Sequence, residues 1–187
     1  AEVDSEVCSG CAVCNRVCPY EAIERINLEE HTVAFVNGDK CMRCGICVAS
    51  CPSGAITLDS FSDTELIGRM TTGAWLDQPR YLEGGAPAPR IMVFVCQWAI
   101  RTDAELQRVV SLGSQVRVVN LPCSGRIDPA LILAALSRGA DGVLVAGCKE
   151  GECHYQRGTL IGRSKVGLMR ELLVQAGIAQ ERLRFVE

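Results

Sequence analysis

Cys8-x-x-Cys11-x-x-Cys14-x-x-x-Cys18-Pro19 is followed in the same chain by Cys41-x-x-Cys44-x-x-Cys47-x-x-x-Cys51-Pro52. Two-residue spacers let three consecutive sulfurs converge on one small object. Thiolates are soft ligands suited to iron–sulfur clusters. In this motif the fourth cysteine, the one before proline, ligates the other cluster. The reading therefore assigns Cys8, Cys11, Cys14 and Cys51 to one 4Fe–4S centre, and Cys41, Cys44, Cys47 and Cys18 to a second. A lone Cys-x-x-Cys would leave zinc, a disulfide or buried free thiols in contention. Eight cysteines in two identical runs favour the clusters.

Working outward, each motif is followed by a small strand, Ala22–Ile26 after the first and Ala55–Leu58 after the second. Thr32–Val36 reads as a further strand, with Asn37-Gly38-Asp39 as the turn into Cys41. Gly10, Ala12, Gly45 and Ala49 are small and let backbone come close to a cluster, where N–H groups tune it. The expectation is an α+β ferredoxin-like domain with two 4Fe–4S clusters over residues 1–61, with little core besides its metal.

Residues 62–89 form a helix and linker. Ser62-x-x-Glu65 is a capping box and Leu66, Ile67 and Met70 make a stripe, so a helix is predicted over 62–78, docking on either domain or on a partner. Gln78 to Pro89 is linker-like in composition. From residue 90 the chain alternates strand and helix: strands at 91–95, 116–121, 142–146 and 182–186, and helices at 102–112, 130–138 and 165–176. Thr102-x-x-Glu105 caps the first helix, and Asp128-Pro129 opens the second as N-cap and N1. This pattern predicts an α/β domain over 90–187, flavodoxin-like or Rossmann-like, with a parallel sheet covered on both faces.

The remaining four cysteines fall on that domain's strand ends. Cys96 follows its first strand, Cys123 its second and Cys148 its third, and Cys153 sits in the loop beyond. Open parallel sheets hold ligands at the carboxyl ends of their strands. Core cysteines would lie inside strands. The reading is one shared metal centre, a four-thiolate 2Fe–2S site; an all-thiolate zinc site, a redox dithiol pair and chance loop cysteines stay open. His154 is placed to tune or ligate, or to be an ordinary loop histidine, and the four cysteines already complete a site. Arg126, Lys149 and Arg157 flank these loops; they are placed to offset the negative charge of a thiolate-bound cluster or to contact a partner, and are read by default as solvated charges. His31 carries no signal.

The totals set bounds. The chain has 187 residues, 48% of them hydrophobic and 22% charged, enough for a core and one or two domains. A net charge of −3 argues against nucleic-acid binding, and no apolar run approaches the roughly 20 residues of a membrane span. Residues 1–61 hold nine acids against four bases, whereas the remainder is slightly basic, a shift that favours two domains. Twelve cysteines with no secretory signal at the start suit a reducing cytoplasm and metal ligation. A start at Ala1 is compatible with processing or with a piece of something longer. No phosphate loop, G-x-S-x-G, H-E-x-x-H or G-x-G-x-x-G follows a strand, so no catalytic residue is assigned.

Residues 3–70 resemble the C-terminal ferredoxin part of the A-type subunit of heterodisulfide reductase. The resemblance rests on Val3-Asp4, Cys18-Pro19-Tyr20-Glu21-Ala22-Ile23, Cys51-Pro52-Ser53-Gly54-Ala55-Ile56 and Phe61-Ser62-Asp63-Thr64-Glu65. Residues 90–187 resemble the delta subunit of viologen-reducing nickel–iron hydrogenase. There it rests on Phe94-Val95-Cys96-Gln97-Trp98, Leu121-Pro122-Cys123-Ser124-Gly125-Arg126 and Gly147-Cys148-Lys149-Glu150-Gly151-Glu152-Cys153-His154-Tyr155. The second resemblance implies a 2Fe–2S cluster on Cys96, Cys123, Cys148 and Cys153. It implies electron relay between a hydrogenase or formate dehydrogenase and a flavin-containing, bifurcating reductase subunit, in a hetero-oligomeric complex. Ala12 departs from the glycine usual after the second ferredoxin cysteine. The reductase subunit's flavin-binding body has no counterpart in these 187 residues. The chain reads as a stand-alone fusion or the tail of a longer protein. The rival function is a fragment of a flavoprotein disulfide or quinone reductase.

Overall fold

A computed structural model describes residues 1–29, 31–72, 75, 81, 85, 87–100, 102, 104–105 and 115–187. The N-terminal part is built on crossed strand pairs. β1 (Glu2–Val3) precedes the first cysteine motif and pairs antiparallel with β4 (Ile56–Thr57), which follows the second. β2 (Ile23–Asn27) follows the first motif and pairs with β3 (Thr32–Val36), which precedes the second. The strand entering one motif thus pairs with the strand leaving the other, and this exchange carries each fourth cysteine to the opposite set. Between the strands the motifs wind into α1 (Val13–Val17) and a 3₁₀ turn, Val48–Ser50. Their core is small and holds cysteines throughout: Cys14, Ile23, Ala34, Cys47, Val48, Ile56 and Leu58.

α2 (Asp63–Thr71) starts at the predicted box. The Ser62 hydroxyl accepts from the Glu65 N–H, and the Glu65 carboxylate accepts from the Ser62 N–H at 2.9 Å. The helix ends at Thr71; the rest of the stretch expected to be helical lies outside the described residues apart from Thr72 and Trp75. α2 packs on the C-terminal domain: Leu66, Met70 and Trp75 are buried in the same core as Met92, Phe94 and Leu121. Arg117 donates to the Arg69 carbonyl at 2.9 Å, satisfying one of the open carbonyls at the helix's C-terminal end.

The C-terminal sheet is parallel. β5 (Ile91–Cys96) lies between β6 (Val116–Leu121) and β7 (Gly142–Ala146), and β8 (Leu183–Val186) flanks β7, giving the order β6-β5-β7-β8. This is the flavodoxin-type order, whose switch point falls between its first and third strands, here β5 and β7. α3 (Pro129–Ser137) opens on the Asp128 cap, whose carboxylate accepts from Ala130 N at 2.7 Å. α4 (Gly158–Gln175) begins seven residues before the periodicity suggested, with no side-chain cap. Both helices share a core with Met92, Phe94, Val143 and Val145, so they cover one face of the sheet. The helix expected over 102–112 lies almost wholly outside the described residues; its capping pair, Thr102 and Glu105, is hydrogen-bonded reciprocally.

Met70 is buried and Leu168 on α4 is largely exposed. Met70→Ala should cost about 2–5 kcal/mol by leaving a cavity, and Leu168→Ala less than about 0.5 kcal/mol. Anaerobic urea titration followed by tryptophan emission measures both. Equal losses would mean that α2 is not part of this core.

Candidate functional site: three cysteine sets and the joint between domains

Cys8, Cys11, Cys14 and Cys51 line one small cavity, together with Gly10, Ala12, Asn15, Arg25 and Ala34. Cys18, Cys41, Cys44 and Cys47 line a second. The structure therefore brings together the two mixed sets that the motif spacing assigns. Backbone amides face the sulfurs: Ala34 N donates to Cys8 Sγ at 3.5 Å and Ala22 N to Cys18 Sγ at 3.4 Å. The first loop is tight. Gly10 has φ +64°, and a Cβ there would stand 2.4 Å from the Thr32 carbonyl oxygen. Ala12 holds φ +63° with a side chain in place, a strained position that glycine fills freely.

The third set gathers on the sheet's carboxyl edge. Cys96 ends β5, Cys123 follows β6 and Cys148 follows β7, so three adjacent strands each deliver a thiol. Cys96 Sγ and Cys148 Sγ meet at 3.9 Å across the switch point. Cys153 lies further along the same loop as Cys148 and accepts from Thr159 N at 3.4 Å; Cys123 accepts from Gly125 N at 3.4 Å. α4 starts at this place, so the positive end of its dipole faces the sulfurs. A Cβ on Gly158 would overlap Cys123 Sγ, at 2.0 Å, and lie 3.4 Å from Cys153 Sγ. The Gly158 backbone thus closes on the thiols as no other residue could. His154 is exposed and stacks on Trp98, ring centroids 3.6 Å apart.

Electrostatics shows what these sets lack. Burial raises the Cys14 and Cys44 thiols, and pushes Cys47 up to about 12. At the sheet edge the hydrogen bond between Cys123 and Cys96 lowers the latter and raises the former, and burial raises Cys148. So many close thiols ionise together only when a metal replaces their protons. The reverse shortage lies alongside. Arg126 is a correction to the sequence reading: it is fully buried rather than solvated, and its Nη1 has no hydrogen-bond partner among the described residues. Burial pulls Lys165 down to about 8 despite the attraction of Asp128. Buried cations beside buried thiols, and a glycine whose backbone abuts two of the sulfurs, fit anionic thiolate-bound centres. Lys149 and Arg157 are exposed, as read.

The sets are not isolated from one another. Cys14 and Cys47, from the two ferredoxin sets, are buried in one apolar core. Cys44 and Ile46 pack with Cys123 and Tyr155 in another, with Tyr20 and Cys153 at its margin. This second core is the joint between the domains, and nothing in the sequence pointed to it. The one available signal was the pair of glycines, Gly45 and Gly125, that let the loops meet: a Cβ on Gly125 would sit 2.8 Å from Ile46 Cγ1.

A duplicated ferredoxin motif with exchanged fourth cysteines, joined to a parallel α/β domain with thiols on its edge, defines an iron–sulfur protein. Residues 1–58 match the 4Fe–4S dicluster domain, and residues 91–187 match the family described as methyl-viologen-reducing hydrogenase, delta subunit. The chain belongs to this delta-subunit family. It is 33% identical over 186 residues to the A-type subunit of the ferredoxin:CoB-CoM heterodisulfide reductase of Methanosarcina mazei, an alignment that covers 98% of this chain and 22% of that protein. It is 40% identical over 98 residues to the D-type iron-sulfur subunit of the F420-non-reducing hydrogenase of Archaeoglobus profundus, 51% of this chain and 72% of that one. The chain therefore spans about a fifth of the length of the heterodisulfide reductase subunit it matches. No helix among the described residues is long and apolar enough to cross a membrane.

The two loop positions make opposite predictions. Gly10→Ala should cost one cluster, about four irons, read by iron analysis after anaerobic reconstitution. Ala12→Gly should keep all iron and stabilise the fold by up to about 1 kcal/mol, the left-handed cost for an L-residue less glycine's entropy. A loss of stability on Ala12→Gly would show that the conformation is not strained.

Proposed function

We propose that the chain is an electron relay. Cys8, Cys11, Cys14 and Cys51 hold one 4Fe–4S centre, Cys18, Cys41, Cys44 and Cys47 a second, and Cys96, Cys123, Cys148 and Cys153 a 2Fe–2S centre. When bound, each such centre takes up and releases a single electron at a potential set by its ligands and hydrogen bonds. The observation that carries the reading is the sharing of cores: Cys14 with Cys47, and Cys44 with Cys123. The Cys18 set thereby adjoins each of the other two. Ile46, Tyr20 and Tyr155 exclude water from the second junction. Gly125 N, Thr159 N and the start of α4 stabilise thiolate charge at the sheet edge.

A relay has two ends, so this one serves two partners in a hetero-oligomeric complex: an electron-donating hydrogenase or formate dehydrogenase subunit and a flavin-containing, bifurcating reductase subunit. The setting is the cytoplasm. The relatives' names support this choice, since one is a hydrogenase subunit and another a heterodisulfide reductase subunit. A second reading has its own support: 98% of the chain aligns within one much longer subunit. On that reading these residues are the C-terminal relay of a flavoprotein disulfide or quinone reductase.

Anaerobically purified protein should contain about ten irons and negligible zinc, from centres of four, four and two. Cys123→Ala should abolish the 2Fe–2S spectrum and spare both 4Fe–4S signals. One zinc per chain with about eight irons would refute the 2Fe–2S assignment. The fully loaded chain should accept electrons from a low-potential reductant yet turn over no disulfide or quinone alone. Turnover matching an intact complex would refute the relay.

A further inference from the structure

Two cations of the C-terminal domain are sunk in the joint. Arg126 lies three residues after Cys123 and is wholly buried. Its Nε and Nη2 donate to the Phe61 carbonyl at 3.1 and 2.9 Å, and Nη2 to the Asp63 carboxylate at 2.6 Å. Its stem lies on Gly45, between Cys44 and Cys47; a Cβ there would stand 2.7 Å from Arg126 Cδ. Lys165 reaches in from α4. Its Nζ donates across the joint to the Ala49 carbonyl at 2.8 Å, and within its own domain to Gly125 at 3.2 Å and Ile127 at 3.4 Å. Ala49 is two residues past Cys47, and Gly125 two past Cys123. Both charges therefore stand between the middle ferredoxin set and the sheet-edge set. Their hydrogen-bonded partners supply a single carboxylate, on a side chain that is half exposed.

Charges buried in a medium of low effective dielectric act strongly on neighbouring charges. Removing one partner of such an arrangement leaves the other uncompensated. Backbone carbonyls satisfy donors without cancelling their charge, so most of the positive charge of this pair remains available to whatever anion lies beside it. Asp128 also attracts Lys165, and after it the sheet-edge and middle thiols, Cys123 and Cys47, are the anionic groups that act on that lysine.

On the relay reading above, we propose that Arg126 and Lys165 are positioning residues for electron transfer across the joint. They bind the two domains in one register, and their charge stabilises the reduced form of the two flanking centres relative to the oxidised form. The set of Cys8, Cys11, Cys14 and Cys51 has a different cation in its lining, Arg25, and is independent of the pair. The step they serve is the exchange of one electron: one centre is oxidised, its neighbour reduced, and no bond is made or broken.

The test is an EPR-monitored redox titration of the full chain, reconstituted anaerobically, comparing Lys165→Met and Arg126→Gln with the charge-keeping Lys165→Arg and Arg126→Lys. In the neutral variants the flanking centres should shift to lower potential, their reduced-to-oxidised ratio at a fixed poise falling on the order of tenfold. The Cys8 set should keep its potential, and the charge-keeping variants should stay near wild type. Unchanged flanking potentials in Lys165→Met overturn the proposal, as does an equal shift of all three centres. Should Arg126→Gln fail to retain iron, Lys165→Met decides, since its Nζ bonds only to backbone carbonyls. If the wild-type chain carries zinc at the sheet edge, the relay reading fails separately, and the shift is read on the middle 4Fe–4S centre alone.

Discussion

Thiolates repel one another, and the rest of this molecule is arranged around that fact. Each of three sets gathers four sulfurs, and the hydrogen bonds they accept among the described residues come mainly from scattered backbone amides. Burial raises the Cys14, Cys44, Cys47 and Cys148 thiols, because it penalises the charged form. With metal the same convergence becomes the main source of cohesion for residues 1–58, whose apolar core is little more than Ile23, Val48, Ile56 and Leu58 among cysteines. Folding there is metal binding. The C-terminal domain differs in kind. Its sheet buries Met92, Phe94, Leu121, Val143 and Val145 against α2, α3 and α4, so its framework holds by ordinary burial.

The two cysteine motifs were legible because spacing is their chemistry: the sulfurs must converge, and the exchange of fourth cysteines follows from crossed strand pairing. The strands at 116–121 and 142–146 fall where apolar runs between turn residues put them. The parts that were not legible share a cause, which is that long-range contact overrides local signal. β1 is only Glu2-Val3 and has no period to read; it exists because β4 offers it an edge. The first two turns of α4 carry Gly158 and Gly162, poor helix formers. Glycine is required there since the helix start abuts Cys123 and its next turn packs on Ser124, where a Cβ on Gly162 would sit 2.7 Å from the carbonyl oxygen. Arg126 looked like loop charge because its partners, Phe61 and Asp63, lie more than sixty residues away.

The sheet-edge site and the joint are one consequence of strand order. In a β6-β5-β7-β8 sheet the loops after β5 and β7 diverge to opposite sides, leaving a crevice at the carboxyl end. Cys96 and Cys148 close that crevice, and the loop after β6 brings Cys123 to its margin. The same loop then turns through Ser124–Arg126 and presents Gly125 and Arg126 to the ferredoxin motif. One short segment thus supplies a sulfur to the edge site, a close-packing surface to the neighbouring domain and a charge between them. Moving any one of these would displace the other two.

That coupling bears on how rigid the relay is. Domains joined only by a linker move relative to each other by default. Here Ile46 and Arg126 are wholly buried at the joint, and Arg126 and Lys165 both terminate on backbone oxygens of the N-terminal part. Opening the joint would expose Ile46 and strand the donors of two cations that the closed form satisfies. Each lost charged hydrogen bond is worth about 1.5–3 kcal/mol, so the closed form dominates once the N-terminal part is folded. The distance between the Cys44 and Cys123 sulfur sets is then a fixed property of the fold. On the proposed relay, electron transfer across it has no need of a docking step.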